Sequence, residues 1–225
     1  LFREQADPKP DTSESGAGID FNQWRAAFAR AREGASEPRD MLRRFGVLGL
    51  TARTEAESER RKIVASRLPT DAWPEQRLLI AAVEAETGER HAFERGEGVG
   101  LIDAVAASCA VPGLRPLATI GGSHYMDGGV YSIDNADLAA GCDRVVVVTL
   151  RARVPPLCVV PLGAAVDALR RGGSEVVVIQ PDEASEAAFA TVGGNVLDPA
   201  VRRAAALAGL EQGRSQATGD MVGDF

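Results

Sequence analysis

The sequence is poor in the residue types that crosslink small secreted domains or bind metal ions. Only 5% of its 225 residues are aromatic, and it contains three cysteines and two histidines. The cysteines (Cys109, Cys142 and Cys158) are odd in number and form no Cys-x-x-Cys pair, which argues against a disulfide framework and against a zinc site. This cysteine usage favours a reducing, cytoplasmic location, and we expect no metal ion.

Long hydrophobic runs and one-sided charge are also missing. No apolar segment approaches the ~20 residues of a membrane-spanning helix, and the longest, from Val145 to Leu150, has the length of a buried strand. Charges of both signs are mixed along the chain, with a net charge of −7. We therefore expect no binding to nucleic acid and little attraction to an anionic membrane. Neither a P-loop nor a Gly-x-Gly-x-x-Gly motif after a strand is present, which argues against a nucleotide-binding protein.

The first half of the chain predicts helices followed by a β-hairpin. The predicted helices run over residues 21–33, from a Ser36 cap to a closing Gly46, and from a Thr54 capping box to about Arg67. The predicted hairpin has strands over 78–84 and 91–93 and a turn at Thr87-Gly88. A further helix, from Leu101 to Cys109, is expected to stop before Pro112 because the residue before a proline avoids the helical region.

The second half alternates strands and helices, which indicates an α/β protein. Residues 144–150 form a continuous apolar run, typical of a strand covered on both faces in a parallel sheet. The remaining predicted elements are a helix over 161–171, a strand over 175–180, and helices over 182–190 and 198–214.

The Asp-Gly-Gly turn from Asp127 to Gly129 would, by itself, indicate only a turn. Its neighbours are more specific: Asp103-Ala-Val-Ala-Ala-Ser-Cys-Ala-Val-Pro-Gly precedes it, and Asn135 and then Ala139-Ala-Gly-Cys-Asp-Arg-Val-Val-Val-Val follow. In this order and spacing, these segments resemble the C-terminal half of the patatin-like phospholipase family. The resemblance is close over about residues 98–150 and looser on either side.

This resemblance implies a fold and an activity. The implied fold is a three-layer α/β sandwich with a mainly parallel central sheet flanked by helices. It would form a single domain over 1–225, in which 1–75 are helical and 76–225 form the α/β core. The implied activity is hydrolysis of lipid or carboxylic esters by a Ser-Asp dyad without a histidine. No cofactor is implied, the expected partner is a lipid or ester substrate, and transient contact with a membrane or micelle is left open.

The resemblance also implies roles for the residues of the turn. Asp127 would be the catalytic aspartate that accepts the serine proton, provided that an apolar pocket raises its pKa toward the working pH. Gly128 and Gly129 would form the active-site loop, in which the backbone turns beside the substrate without a Cβ in the way. The residues themselves suggest three supporting roles. Asn135 is expected to brace this loop, and Ser108 to pack or cap on its helix and not to act as a nucleophile. His124 could orient a nucleophile, but we expect it to be a surface turn residue.

The nucleophile of such a dyad is missing. A nucleophile elbow needs Gly-x-Ser-x-Gly, and none of the eleven serines has glycine two residues away on both sides. The family's Gly-rich oxyanion loop is absent as well. The abrupt start at Leu1 therefore predicts that an N-terminal segment carrying the first two strands is missing, and that the chain as given is inactive. The alternative is a non-catalytic domain that uses the same fold for binding or assembly.

Overall fold

The computed structural model describes residues 21–150, 159–190 and 200–216. The α-helices within these ranges are α1 (Phe21–Arg32), α2 (Pro38–Thr51), α3 (Glu57–Ala65), α4 (Leu101–Ser108), α5 (Leu162–Arg171), α6 (Glu183–Ala190) and α7 (Val201–Gln216). The strands are β1 (Ile80–Glu84), β2 (Arg90–Phe93), β3 (Ala118–Ile120), β4 (Ser123–Asp127), β5 (Arg144–Val148) and β6 (Glu175–Ile179). Short 3₁₀ turns cover Gly128–Val130 and Ala136–Ala139.

The described residues fall into two compact units. The larger unit holds residues 21–145 and 159–176, and the smaller one holds 146–150, 177–190 and 200–216. Helices and strands occur in both, so the predicted α/β class is confirmed. The predicted single domain, with its boundary near residue 75, remains a prediction.

A four-stranded sheet in the order β2-β1-β4-β3 organises the larger unit. All three strand pairs are antiparallel, and β1 pairs with both β2 and β4. The predicted hairpin is confirmed: β1 and β2 are joined through Gly88, whose φ of 71° suits glycine. The mainly parallel central sheet is not confirmed, because this sheet is antiparallel and, among the described strands, only β5 and β6 form a parallel pair.

Helices cover both faces of this antiparallel sheet. Successive side chains of a strand point to opposite faces, so neighbouring residues of β1 enter different buried clusters. Ala82 packs with Ala104 and Ala107 of α4, whereas Val83 packs with Phe45 of α2 and Phe28 of α1. The alanines let α4 approach the sheet closely, which brings its C-terminal end near the end of β4.

Three of the predicted helix boundaries are wrong. Gly46 does not close α2, which continues to Thr51. Gly46 is buried, and a Cβ there would lie 2.1 Å from the carbonyl oxygen of Ala85, so this glycine serves close packing. The predicted caps are also wrong: α2 begins at Pro38 after Glu37, α3 begins at Glu57 after Ala56, and neither start has a side-chain capping bond.

The smaller unit contains β5 and β6 residues together with α6 and α7. The expectation that β5 is covered on both faces is wrong, because Val146 and Val148 are 45% and 69% exposed. Both line a cavity of about 350 Å³ whose lining also includes Gly209 and Gly213 of α7. These glycines have no side chains with which to fill the space over the strand.

The amide of Gln212 holds α7 to the segment before α6. Its Oε1 accepts hydrogen bonds from the Asp182 backbone N–H (3.0 Å) and the Ser185 hydroxyl (2.9 Å). Its Nε2 donates to the carbonyl oxygen of Gln180 at 2.6 Å. Because Gln212 is buried, these bonds compensate the cost of removing its amide from water.

Candidate active site

The Asp-Gly-Gly turn lies where β4 ends. Asp127 is the last residue of β4, directly opposite Ala82 of β1, and the chain continues into the 3₁₀ turn. Its backbone N–H donates to the carbonyl oxygen of Ala110 at 3.0 Å, which ties the strand end to the segment after α4. Its carboxylate Oδ1 accepts the Gly129 backbone N–H at 2.7 Å. The carboxylate therefore stands at a position fixed by a strand, a helix end and its own turn.

The surroundings of the Asp127 carboxylate favour its neutral form. Burial raises its pKa from 3.8 to about 6, and the Gly129 hydrogen bond opposes this rise only in part. The residue is nonetheless partly accessible to solvent. Among the described residues, only Gly129 makes a hydrogen bond to this carboxylate, so Oδ2 is left without a partner there. At neutral pH the group is mostly ionised, yet it is a stronger base than an ordinary aspartate.

The two glycines are required by the protein's own atoms. A Cβ on Gly128 would lie 2.4 Å from the carbonyl oxygen of Ala81 in β1. A Cβ on Gly129 would lie 2.9 Å from Oδ1 of Asp127. Neither glycine has a positive φ, so close approach is the reason for glycine at both positions. The predicted role of these glycines in admitting substrate stays a prediction.

Asn135 braces the turn, as predicted. Its backbone is left-handed, with a φ of 46°, a conformation that asparagine tolerates better than most residues. Its Nδ2 donates to the carbonyl oxygens of Gly128 (3.2 Å) and Ser132 (2.6 Å), and its backbone N–H donates to the Ser132 hydroxyl. The amide therefore closes the loop that follows Asp127.

Arg90 supports the same loop from β2. Its guanidinium donates to Asn135 Oδ1 at 3.2 Å and, through two nitrogens, to both carboxylate oxygens of Asp137 at 2.8 and 2.6 Å. It also stacks over the Tyr131 ring at 4.4 Å. The hydrogen bond to Asp137 is the main cause of a raised Arg90 pKa. Sequence reasoning missed this residue, because an arginine in a polar hairpin gives no local sign of a partner 45 residues away.

Ser108, Ser132 and His124 make no hydrogen bond to the Asp127 carboxylate. Ser108 is the last residue of α4, and its packing or capping role stays a prediction; Ser132 is buried, and its hydroxyl accepts the Asn135 backbone N–H. The expectation of a turn residue at His124 is wrong, since it lies within β4 with Nδ1 2.5 Å from Oε1 of Glu86. In the part of the chain that the structure describes, no serine hydroxyl hydrogen bonds to Asp127.

The described ranges contain neither a membrane-spanning helix nor a cluster of metal-binding side chains. None of the helices in 21–150, 159–190 and 200–216 combines the length and the apolar character needed to cross a membrane. The same ranges contain no group of three or more His, Cys, Asp or Glu side chains arranged to hold a metal ion.

These features define an α/β protein with a desolvated, partly accessible carboxylate at a strand end. A sequence model described as patatin-like phospholipase matches residues 13–140, more than half of the 225-residue chain. The chain therefore belongs to the patatin-like phospholipase family, and the predicted resemblance is confirmed. The members of this family are usually hydrolases, and the matched range includes Asp127 and its turn. No curated protein matches the chain significantly.

Proposed function

We propose that this chain carries the general base of a serine acyl hydrolase that cleaves lipid or carboxylic esters, and that the base is Asp127. The observation that carries the proposal is the combination, at Asp127, of a raised pKa and a carboxylate oxygen left free by the described residues. One oxygen is held by the Gly129 N–H, the other has no partner among the described residues, and burial raises the pKa to about 6. A general base works best when its pKa lies near the operating pH.

The proposed chemistry is a two-step acyl transfer. Asp127 accepts the proton of a serine hydroxyl as the serine oxygen attacks the ester carbonyl carbon. The proton then passes to the departing alcohol, which leaves an acyl-serine. Water attacks the acyl-serine, Asp127 takes the proton of that water, and the proton returns to the serine oxygen when the carboxylic acid is released. The Gly129 hydrogen bond would hold the carboxylate in place through both steps.

The 225 residues contain no Gly-x-Ser-x-Gly segment that could supply the serine of this dyad. The test therefore applies to a longer polypeptide whose coding sequence joins a Gly-x-Ser-x-Gly segment to these residues. In that polypeptide, Asp127→Asn is expected to lower kcat for a p-nitrophenyl acyl ester by about 10²–10⁴-fold, the usual contribution of a general base.

The matched control for this test is Asp167→Asn, which removes one carboxylate from an exposed position on α5. It should leave turnover unchanged. Full turnover in Asp127→Asn would refute the dyad. We also expect the 225-residue chain alone to hydrolyse the ester no faster than buffer, and clear turnover by it would refute the need for a serine from outside these residues.

A non-catalytic domain is the second candidate function, and the missing Gly-x-Ser-x-Gly motif favours it. In that case the patatin-like fold would serve binding or assembly. The coding sequence on the N-terminal side of Leu1 discriminates between the two: a Gly-x-Ser-x-Gly segment after an apolar strand supports the hydrolase, and its absence supports the non-catalytic domain. The cytoplasmic location stays a prediction.

A further inference from the structure

The helical hairpin of α1 and α2, residues 21–53, has a charge opposite to that of the whole chain. It contains seven arginines against three carboxylates, a net charge of +4, in a chain whose net charge is −7. The whole-chain balance, from which little attraction to an anionic membrane is expected, hides this local excess. The hairpin is thus a cationic part of an acidic protein.

Two aliphatic side chains are exposed on the outer face of α2. Val47 is 59% exposed and Leu50 is 45% exposed. Arg43, Val47 and Leu50 are four and then three residues apart, so they lie on one face of the helix. The residues of α2 that face the core, Leu42 and Phe45, lie on a different side.

The arginines beside these aliphatic residues are available for an external partner. Arg39 pairs with Glu89 and Arg44 pairs with Asp40, so both are neutralised within the protein. Arg43 lies one turn before Val47, and Arg53 follows the end of α2, three residues after Leu50. Neither makes an ion pair with any residue that the structure describes.

We propose that the lipid-docking face, formed by Arg43, Val47, Leu50 and Arg53, binds an anionic lipid surface. Such a surface accepts both kinds of side chain, since its headgroups attract arginines and its acyl boundary accepts aliphatic groups. A nucleic acid would use the charges but would leave exposed valine and leucine in water, and none of these four side chains is aromatic and able to stack on a base. The proposal rests on the proposed function in taking lipid as the substrate, but lipid binding is measured without catalysis.

The test is co-sedimentation of the 225-residue chain with vesicles. Phosphatidylcholine vesicles are compared with vesicles that also contain phosphatidylglycerol. We expect binding to the anionic vesicles, weaker binding when the salt concentration is raised, and little binding to the neutral ones. Arg43→Gln and Arg53→Gln should each weaken the binding about fivefold, the usual worth of one basic residue near an anionic surface.

Variants separate the two parts of the lipid-docking face. Val47→Ser with Leu50→Ser should also weaken vesicle binding, although the charge is unchanged. The matched charge control is Arg95→Gln with Arg171→Gln, two exposed arginines outside the hairpin, and it should bind like the unaltered chain. All these positions are exposed, so circular dichroism should be the same in every variant.

Several outcomes would overturn the proposal. It fails if the chain binds neutral and anionic vesicles equally, if neither kind of vesicle carries it down, or if the control variant loses as much binding as the arginine variants. Tight binding to DNA without binding to vesicles would identify a different partner and also overturn it. Hydrolysis of a soluble p-nitrophenyl ester does not need this face, so failure here leaves the proposal for Asp127 separately testable.

Discussion

Replacement of Asp127 by asparagine should make the protein more stable at neutral and alkaline pH. The change keeps an oxygen to accept the Gly129 N–H and removes a charge from a desolvated position. The folded-state pKa of Asp127 is about 6, above its ordinary value of 3.8, so between these values the folded state binds more protons than the unfolded state. The free energy of unfolding therefore falls as pH rises through this window.

The size of this effect follows from the shift in pKa. About two pKa units correspond to about 3 kcal/mol, or nearer 2 kcal/mol once the solvent that reaches this partly accessible group is considered. The unaltered chain should carry this cost in full above pH ~7 and lose it below pH ~3, where the carboxyl is protonated in both the folded and the unfolded state. Asp127→Asn should then match the unaltered chain near pH ~3 and exceed it by about 2–3 kcal/mol near pH ~8.

Urea unfolding between these pH values, followed by the fluorescence of Trp24 and Trp73, measures the difference. The unfolding slope should be the same in both proteins, since the change is a single isosteric one. Asp167→Asn serves as the control, because it removes an exposed carboxylate and should follow the unaltered chain at every pH. Equal stability of Asp127→Asn and the unaltered chain at high pH would show that the carboxylate is not desolvated, and the argument for a tuned base would fail.

Three further predictions concern the same turn. Gly128→Ala should lower the free energy of unfolding by roughly 1–3 kcal/mol, because its Cβ meets the backbone carbonyl of Ala81. Gly129→Ala should cost less, since its Cβ meets the end of a side chain; equal losses in urea unfolding would contradict this. Arg90→Gln should cost roughly 1–3 kcal/mol through its lost hydrogen bonds to charged and amide groups, and an unchanged unfolding midpoint would argue against them. In a polypeptide that also carries the serine, kcat/KM should fall as pH drops below about 6, where Asp127 becomes protonated; a flat profile would refute its role as base.

The elements that sequence predicts well here are those with a strong local signal. The β-hairpin is one example, because an apolar, strand-forming run over 78–84 precedes a Thr-Gly turn that needs a positive φ at Gly88. The loop-bracing role of Asn135 is another, because an asparagine amide close to a tight turn can reach backbone carbonyls. Both depend on residues close together in the chain.

The features that sequence reasoning missed depend on distant contacts. Gly46 was expected to close a helix, as glycine often does, but the oxygen of Ala85 lies where its Cβ would be. The antiparallel pairing of β1 with β4 joins segments more than 40 residues apart, and no local pattern indicates its direction. The link from Arg90 to Asn135 is of the same kind. Burial of Asp127 follows from these contacts, so its raised pKa could be anticipated only through the family resemblance.

Because Ala82 pairs with Asp127, the register between β1 and β4 fixes the position of the carboxylate. The next residue, Gly128, lies against the carbonyl group and the Cβ of Ala81, which leaves no room for a larger residue there. A slip of one residue between β1 and β4 would move each side chain to the opposite face of the sheet. A single inserted or deleted residue between Ile80 and Ala82 would shift this register and is expected to displace the Asp127 carboxylate from its place at the start of the 3₁₀ turn. Changes in the length of β1 are therefore expected to damage the site more than conservative substitutions within it.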